Sequence, residues 1–466
     1  MSETATPQSD GVVGRILKNM GLLFGGKTSA ALVGLLVLAI AARALTIEEL
    51  GGLLLLHAFV ALMTGVATFK SWQVLIQFGA KPSEAGDLPR FHKLLRFTIG
   101  LDLTAAIFAA GLSVTVLFFV YSFLRLPDDV FWYAFAYCLL TATNFRSSPL
   151  GLLRLYDRFD LISLYEQTVP IVRLVGATLG LIFGGGLAWF ILVWMAASAA
   201  TNVVMPVLAY LEISRRDQLK GLFDKRPTLK APEKGIWHYV WMSNIDSTIV
   251  LFDKQMPTLL SGVLLGPGFA ALFKIARDVS DVLGKGARLL NQVLYPELVR
   301  LMMSGQIARA ISIIVRTSLS LLLAGVVLAL LIRFVGPSLF TVALEQSYVG
   351  VVPIATMLVI SAALMGAAAP IYSGLYALGN PGYATLAQAI SVSLTLALFV
   401  ILARTMGTSG PGWAMVIGTG IGLVIATTIA LSRAQFARDA AGQAVFNEAT
   451  SDDTSSGSSE PPDKSG

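Results

Sequence analysis

Residues 269–296 read FAALFKIARDVSDVLGKGARLLNQVLYP, and their charge pattern is the most informative feature of the chain. The segment follows Pro267 and Gly268 and ends at Pro296, which predicts one long helix. At about 100° per residue, its charged side chains share one face, about 100° wide. This face, called the charged stripe below, carries Lys274, Arg277, Asp278, Asp281, Lys285 and Arg288. Its four cations outnumber its two acids, so the stripe keeps a positive surplus.

Composition indicates a polytopic membrane protein. The chain has 466 residues, of which 55% are hydrophobic and 13% are charged. Soluble domains, by comparison, carry about 25% charged residues. The net charge of +6 is concentrated between apolar segments, as in the loops of membrane proteins, so no nucleic-acid partner is expected. Cys138 is the single cysteine, which excludes an intramolecular disulfide.

About twelve segments of roughly 20 residues can span a membrane. They cover residues 21–42, 50–69, 97–120, 131–150, 163–183, 187–210, 239–265, 269–296, 310–333, 350–375, 383–403 and 411–431. The charged stripe belongs to one of the two least apolar segments. Because a charged side chain at the bilayer centre costs about 3 kcal/mol or more, the stripe predicts a water-filled cavity or an anion inside the membrane.

Lysine and arginine are concentrated in alternate connections between the spans. By the positive-inside rule, these connections and both termini are cytoplasmic. The expected organisation of this all-α membrane protein is an N-terminal six-helix lobe, a cytoplasmic linker, a C-terminal six-helix lobe and a disordered cytoplasmic tail. These parts cover residues 1–210, 211–236, 237–440 and 441–466, respectively.

A short internal repeat supports two equivalent lobes. Residues 71–76 (SWQVLI) are echoed by residues 290–295 (LNQVLY) at an offset of 219 residues. Duplicating an even number of helices inserts both copies the same way up, which predicts a pseudo-two-fold axis along the membrane normal. The alternative is a pair of amphipathic helices over residues 239–300 that lie on the cytoplasmic surface, which leaves ten spans.

Charged residues of other spans can join the stripe around a cavity for an anion. The predicted substrate-binding set consists of Lys27, Arg173, Lys254, Lys274, Arg277, Lys285 and Arg288. Asp246, Asp253, Asp278 and Asp281 are predicted to be their charge partners, or to couple transport to protons or sodium ions. A simpler alternative is that Asp253 or Lys254 only pairs with a charge on the neighbouring helix.

No pattern typical of an enzyme, a metal centre or a cofactor site is present. Residues 21–28 (GLLFGGKT) match the phosphate-loop pattern, but a membrane span follows them instead of a soluble nucleotide-binding domain. The three histidines lack ligand spacing, and no nucleophile motif occurs. Asp102 falls near the inner end of the third span, where the membrane interface accounts for its charge. The sequence therefore predicts a protein that is not an enzyme and uses no cofactor.

The chain resembles the polysaccharide (oligosaccharide) flippase family of the multidrug/oligosaccharidyl-lipid/polysaccharide exporter superfamily. The similar segments are residues 42–45 (ARAL) with 48–51 (EELG), 72–76 (WQVLI), 152–154 (LLR) with 158–160 (RFD), and 254–296. This resemblance implies two six-helix lobes that rock around a cationic cavity to give alternating access. It also implies a polyprenyl-diphosphate-linked oligosaccharide as the substrate, for O-antigen, capsule or exopolysaccharide synthesis, with membrane lipids as the surroundings.

The charge pattern agrees with that expectation, because a diphosphate carries two or more negative charges that arginine and lysine bind. Three alternatives remain. A multidrug cation antiporter of the same superfamily would favour an acidic cavity. A peptidoglycan lipid II flippase fits a cationic cavity equally well, although fourteen spans would favour it more than twelve. A membrane glycan polymerase or ligase would normally expose a large outer loop, and the sequence contains none.

Overall fold

The computed structural model describes residues 8–343, 346–378 and 381–455. Within these ranges, the side chains of residues 8–20, 22–24, 27, 246, 282–283, 285–289, 291–293, 343, 381, 434 and 436–455 lie outside the description. The described residues are helical almost throughout and contain no β-strand. Seven of the described helical segments are long and apolar enough to cross a membrane, judged by length and composition. The predicted all-α membrane fold is confirmed.

Fifteen α-helices follow one another along the described chain. The first nine are α1 (Gln8–Ala44), α2 (Ile47–Ala67), α3 (Ser71–Glu84), α4 (Leu88–Leu124), α5 (Phe131–Leu140), α6 (Ser147–Leu155), α7 (Phe159–Glu166), α8 (Thr168–Phe183) and α9 (Leu187–Arg215). The other six are α10 (Ile236–Leu265), α11 (Pro267–Met303), α12 (Ile307–Ala343), α13 (Val351–Ala377), α14 (Pro381–Met406) and α15 (Gly410–Ser455). Each predicted span coincides with one helix or with two consecutive helices.

The chain forms two compact units. Unit 1 contains the described residues up to Asp278 together with segments 335–354 and 400–411. Unit 2 contains segments 279–334 and 355–399 and the described residues from Gly412 onward. The division into lobes at residues 211–236 stays a prediction. Helix α15 runs to Ser455, past the point at which the sequence predicts a disordered tail.

Within unit 1, α10 lies antiparallel along the whole of α2. Gly65, near the end of α2, faces Leu251 of α10, and Gly51, near its start, meets the backbone of Pro267 directly after α10. Small residues allow such close approach of membrane helices. Because α2 belongs to a segment that is long and apolar enough to cross a membrane, a helix that follows it along its length is expected to cross it as well. This packing argues against the alternative in which residues 239–300 form two helices on the cytoplasmic surface.

The predicted linker is folded against α4. The backbone N–H of Thr228 donates to the carbonyl oxygen of Arg96 at 3.3 Å. Arg90, near the start of α4, forms an ion pair with Glu233 at 2.8 Å. Residues 216–235 thus have defined contacts with the start of α4 although they form no helix.

Small polar residues join the helices of unit 2. The hydroxyl of Ser361 in α13 donates to the carbonyl oxygen of Met415 in α15 at 3.1 Å. Gly418 of α15 lies so close to Thr395 of α14 that a Cβ atom would overlap its hydroxyl. Both features are typical of packing between membrane helices, where apolar side chains gain little by leaving lipid.

Candidate functional site

The candidate site lies in unit 1, where short interruptions separate α2 from α3 and α5 from α6. Each of these two pairs of consecutive helices is called a helix row below. Helix α2 ends at Ala67 and α3 begins at Ser71, while α5 ends at Leu140 and α6 begins at Ser147. The starts of α3 and α6 meet, because the backbone N–H of Trp72 donates to the hydroxyl of Ser147 at 3.2 Å. The two interruptions are therefore neighbours.

The sequence accounts for the interruption between α5 and α6. Pro149 is the third residue of α6. A proline inside a continuous helix would clash with the carbonyl group four residues earlier, which belongs to Phe145. Near the start of a new helix, by contrast, the missing N–H of Pro149 needs no partner. Pro149 therefore favours a new helix that starts close before it, as α6 does at Ser147.

Asp102 of α4 fixes the start of α6. Its Oδ2 atom accepts the backbone N–H of Ser148 at 2.6 Å, and its side chain also faces Ser71, the first residue of α3. The residue is 2% exposed. The carboxylate of Asp102 is thus buried among helices, where it accepts an N–H group at a helix start and where the helix dipole favours negative charge. Its predicted depth near the membrane interface stays a prediction.

A cavity of about 350 Å³ opens between the two interruptions. It is lined by His57, Val60, Ala61, Thr64, Gly65, Thr68, Phe69, Lys70, Trp72, Tyr137, Leu140, Thr141, Asn144, Arg146, Ser147, Leu150, Tyr165, Ser198, Asn202 and Met205. Hydroxyl, amide and aromatic groups make up much of this lining. Lys70 and Arg146 are its formally charged members, and it includes no aspartate or glutamate.

Neither cation of the cavity has a carboxylate within ion-pair distance among the described residues. The guanidinium of Arg146 donates to the hydroxyls of Tyr165 and Thr201 at 3.3 and 3.4 Å, which are long distances for such bonds. Both partners are neutral, so the charge of Arg146 stays uncompensated. The cavity is therefore electropositive.

One wall of the cavity is a directed chain of hydrogen bonds. The guanidinium of Arg173 donates to Nε2 of His57 at 3.2 Å. Since a guanidinium can only donate, Nε2 is an acceptor, and the ring of His57 is neutral with its proton on Nδ1. Nδ1 then donates to the hydroxyl of Tyr137 at 2.7 Å, and that hydroxyl lies 3.2 Å from Ser198. Arg173 also stacks on the ring of Trp194.

The described cations of the charged stripe are paired with acids. Lys274 forms an ion pair with Asp278 at 2.5 Å. The guanidinium of Arg277 donates to the carbonyl oxygen of Asp253 at 2.8 Å and contacts its Oδ2 atom at 3.4 Å. The simpler interpretation of Asp253, as a partner of the neighbouring helix, describes this contact. Arg173 and Lys274 lie within electrostatic range of His57, as does Lys254 on α10.

The other predicted site residues divide into two groups. Asp281 is a half-buried residue of α11 in unit 2. The remaining four have side chains outside the described part of the chain: Lys27, Asp246, Lys285 and Arg288. Their predicted roles stay predictions. Within the described residues, no three histidine, cysteine, aspartate or glutamate side chains come together as a metal site.

Sequence reasoning missed Lys70, Arg146 and Asn144. One signal was available, because Arg146 falls inside the predicted 131–150 span, where an ionisable residue indicates function. The other signal was Pro149, which marks an interruption in the same span. Lys70 gave no signal. It lies one residue beyond the predicted 50–69 span, where a lysine at the membrane interface is ordinary.

Similarity to solved structures defines the fold. An inward-facing multidrug resistance MATE family transporter of the MOP superfamily superposes with a TM-score of 0.70 at 13% identity, covering 88% of this chain and 96% of that one. The lipid II flippase MurJ, in an inward closed conformation, superposes with a TM-score of 0.61 at 14% identity, covering 89% of each chain. The protein therefore has the fold of MOP-superfamily transporters.

Sequence similarity gives the family. No protein-family model matches the chain. Inner membrane protein YghQ of Escherichia coli (strain K12) is 30% identical over 297 residues, which are 63% of this chain and 82% of that protein. The chain belongs to the same family as YghQ.

Proposed function

We propose that this protein is a flippase that moves a polyprenyl-diphosphate-linked oligosaccharide across the bacterial cytoplasmic membrane by alternating access. The synthesis of O-antigen, capsule or exopolysaccharide is the process it would serve. The observation that carries the proposal is the charge of the unit 1 cavity, whose charged lining residues are Lys70 and Arg146. A diphosphate that enters this cavity exchanges water for two cations.

The rest of the lining suits a sugar. Thr64, Thr141 and Ser198 donate to main-chain carbonyl oxygens, and their hydroxyl oxygens can still accept hydrogen bonds from sugar hydroxyls. Trp72 adds an aromatic ring to the lining and stacks with Arg154. The lipid tail of such a substrate can remain in the bilayer, since only the head group requires a polar environment. Both parts of the substrate therefore find a suitable surrounding.

Export of cationic drugs is disfavoured by the same charges. Two like charges about 4 Å apart repel by roughly 4 kcal/mol at an effective dielectric constant of about 20. A drug cation in this cavity would meet Lys70 and Arg146 without a described carboxylate in the lining. A lipid II flippase is the second candidate, because lipid II also carries a polyprenyl diphosphate and MurJ has the same fold.

The charged residues predicted from the sequence keep their roles within this proposal. Arg173, Lys254, Lys274 and Arg277, with Lys27, Lys285 and Arg288, form the anion-facing set. Asp246, Asp253, Asp278 and Asp281 act as their partners or as coupling groups for protons or sodium ions. Both termini are cytoplasmic, and the lobes are joined by residues 211–236. No catalytic step takes place.

Proteoliposomes test the proposal. The purified chain is reconstituted with a labelled polyprenyl-diphosphate oligosaccharide, and a membrane-impermeant glycosidase is added outside. Flipping raises the digested fraction above the share that the outer leaflet holds at the start. Liposomes without protein are the control, and lipid II and ethidium are tested in parallel. Ethidium transport without glycolipid transport would contradict the proposal, and transport of lipid II alone would select the second candidate.

A further inference from the structure

A cation lies directly before each of the two helices, α3 and α6, that begin at the cavity. Lys70 precedes α3 and Arg146 precedes α6, and neither side chain caps the helix that follows it. A helix start carries about half a positive elementary charge, so it attracts anions and repels cations. The sequence thus places two cations where two helix starts already concentrate positive charge.

At each of the two helix starts, one backbone N–H group already has a side-chain acceptor. Asp102 accepts the N–H of Ser148, and Ser147 accepts the N–H of Trp72. What remains without compensation is the charge of the Lys70 and Arg146 side chains. An anion in the cavity would remove that repulsion.

A third group indicates that the cavity is built for a ligand. Asn144 is 6% exposed and lines the same cavity, in the interruption between α5 and α6. Its Oδ1 atom has no hydrogen-bond partner among the described residues. A buried amide without a partner loses its hydration and gains nothing, unless a ligand or water supplies the missing bond. The same amide carries an NH₂ group, which can donate to an anionic ligand.

We infer that Lys70, Arg146 and Asn144 form a diphosphate subsite at the interruptions of the two helix rows. This subsite lies within unit 1 and is distinct from the charged stripe of α11. The identity of its ligand rests on the proposed function, since the diphosphate is that of the lipid-linked substrate. Arg146 supplies a planar donor group for two phosphate oxygens, Lys70 supplies a point charge, and Asn144 supplies a neutral donor.

Binding of inorganic pyrophosphate to the purified full-length chain tests the subsite directly. Affinity is measured by calorimetry in neutral detergent, and the unfolding temperature is followed in the same samples. The wild-type chain is expected to bind pyrophosphate more tightly than phosphate and to unfold at a higher temperature in its presence. Lys70→Gln and Arg146→Gln are each expected to weaken the affinity by about tenfold, since each removes a charged hydrogen bond.

Two further variants keep the test informative. Arg90→Gln removes one exposed cation that pairs with Glu233 outside the cavity, so it should bind pyrophosphate like the wild type. Lys70→Arg retains the charge and should restore most of the affinity, which separates loss of charge from loss of fold. Unchanged binding in the Lys70→Gln/Arg146→Gln double variant, or an equal loss in Arg90→Gln, would overturn the subsite.

Lipid nanodiscs distinguish the source of the phosphate. The protein should bind pyrophosphate with nearly the same affinity in phosphatidylglycerol nanodiscs as in phosphatidylcholine nanodiscs. Strong competition by phosphatidylglycerol would instead assign the site to monophosphate head groups and overturn the inference. The outcome is separable from the proposed function. Glycolipid flipping with normal pyrophosphate binding in the double variant refutes the subsite alone, whereas pyrophosphate binding without flipping of any glycolipid refutes the function alone.

Discussion

The Oδ2 atom of Asp102 accepts the backbone N–H of Ser148 at 2.6 Å, so a carboxylate from α4 holds the start of α6 in place. The same carboxylate faces Ser71 at the start of α3. The side chain of Asp102 therefore contacts the first residues of both α3 and α6, beside the cavity. Its negative charge lies at the helix starts, where it is stabilised by their dipoles and does not neutralise the cavity cations.

Removing this carboxylate should destabilise the protein. Asp102→Ala leaves the buried N–H of Ser148 without an acceptor, which is expected to cost about 1–3 kcal/mol of unfolding free energy. Asp102→Asn keeps an acceptor and should cost less. Unfolding by sodium dodecyl sulfate in mixed micelles, followed by circular dichroism, measures both. Asp129→Ala, an exposed residue before α5, is the control. An Asp102→Ala chain as stable as that control would contradict this role.

Asp102 also shows what sequence patterning misses. Hydropathy places this residue within a few positions of a span boundary, where an interfacial carboxylate is ordinary. Its actual surroundings depend on which helix starts lie next to it, and these come from residues 71 and 147–148, far away in the chain. Positions along a span follow from the sequence, whereas the partners that a side chain meets across helices require the tertiary fold.

The crossing of α3 and α6 depends on Gly151. A Cβ atom at this position would lie 2.8 Å from Cα of Trp72 and 3.0 Å from its carbonyl oxygen. Because both atoms belong to the backbone, Gly151→Ala has to push the helices apart, at an expected cost of about 1–3 kcal/mol. Gly111→Ala in α4, where nothing lies within 4 Å, should be neutral or slightly stabilising. Relative to the wild type, Gly151→Ala should lower the unfolding temperature, and Gly111→Ala should leave it unchanged or raise it slightly. Equal unfolding temperatures of the two variants would contradict the close crossing.

The chain from Arg173 to Tyr137 predicts an effect of one hydroxyl. Tyr137→Phe removes the acceptor of the His57 Nδ1 proton, which lies 2.7 Å from the Tyr137 oxygen. A buried donor without a partner is expected to cost about 1–3 kcal/mol. Tyr133→Phe, on the same helix but exposed, should cost nothing measurable. Detergent unfolding compares the pair. If both variants unfold alike, the assigned tautomer of His57 is wrong.

Most of the described helices were predictable, because a run of apolar residues between basic or glycine-rich connections is enough to predict a membrane span. The charged stripe was also visible, because its residues share one helix face. The cavity of unit 1 was not, since its two cations, Lys70 and Arg146, are 76 residues apart in the chain and come together only in the tertiary fold. Arg146 inside its predicted span and Pro149 three residues later were the two features of the sequence that indicated this cavity.

Charge reversal in α11 tests the stripe. Arg277 contacts Asp253 of α10, so Arg277→Glu places two acids side by side and removes a cation from the anion-facing set. Glycan export is expected to fall below about a tenth of the wild-type level, since a charged hydrogen bond contributes about 1.5–3 kcal/mol. The amount of protein in the membrane fraction should stay unchanged. Normal export would refute the role of Arg277.

Exchanging the two charges separates packing from transport. In the Arg277→Glu/Asp253→Arg variant the ion pair re-forms with its partners reversed, so stability should return. Export should remain low, because the cation has moved from α11 to α10 and no longer lies where the substrate meets it. Full recovery of export in the exchanged variant would show that Arg277 serves only to join the two helices.

The orientation of the chain in the membrane can be tested with single cysteines in a Cys138→Ala background. Lys225, exposed in the connection between α9 and α10, lies on the predicted cytoplasmic side, and Asp128, exposed before α5, lies on the predicted outer side. A membrane-impermeant maleimide added to intact cells should label Asp128→Cys and leave Lys225→Cys unlabelled until the membrane is opened. The physical reason is the cost of moving basic loops across the membrane against its potential. Labelling of Lys225→Cys from outside would reverse the orientation, and the cationic cavity would then have to load its substrate from the opposite face.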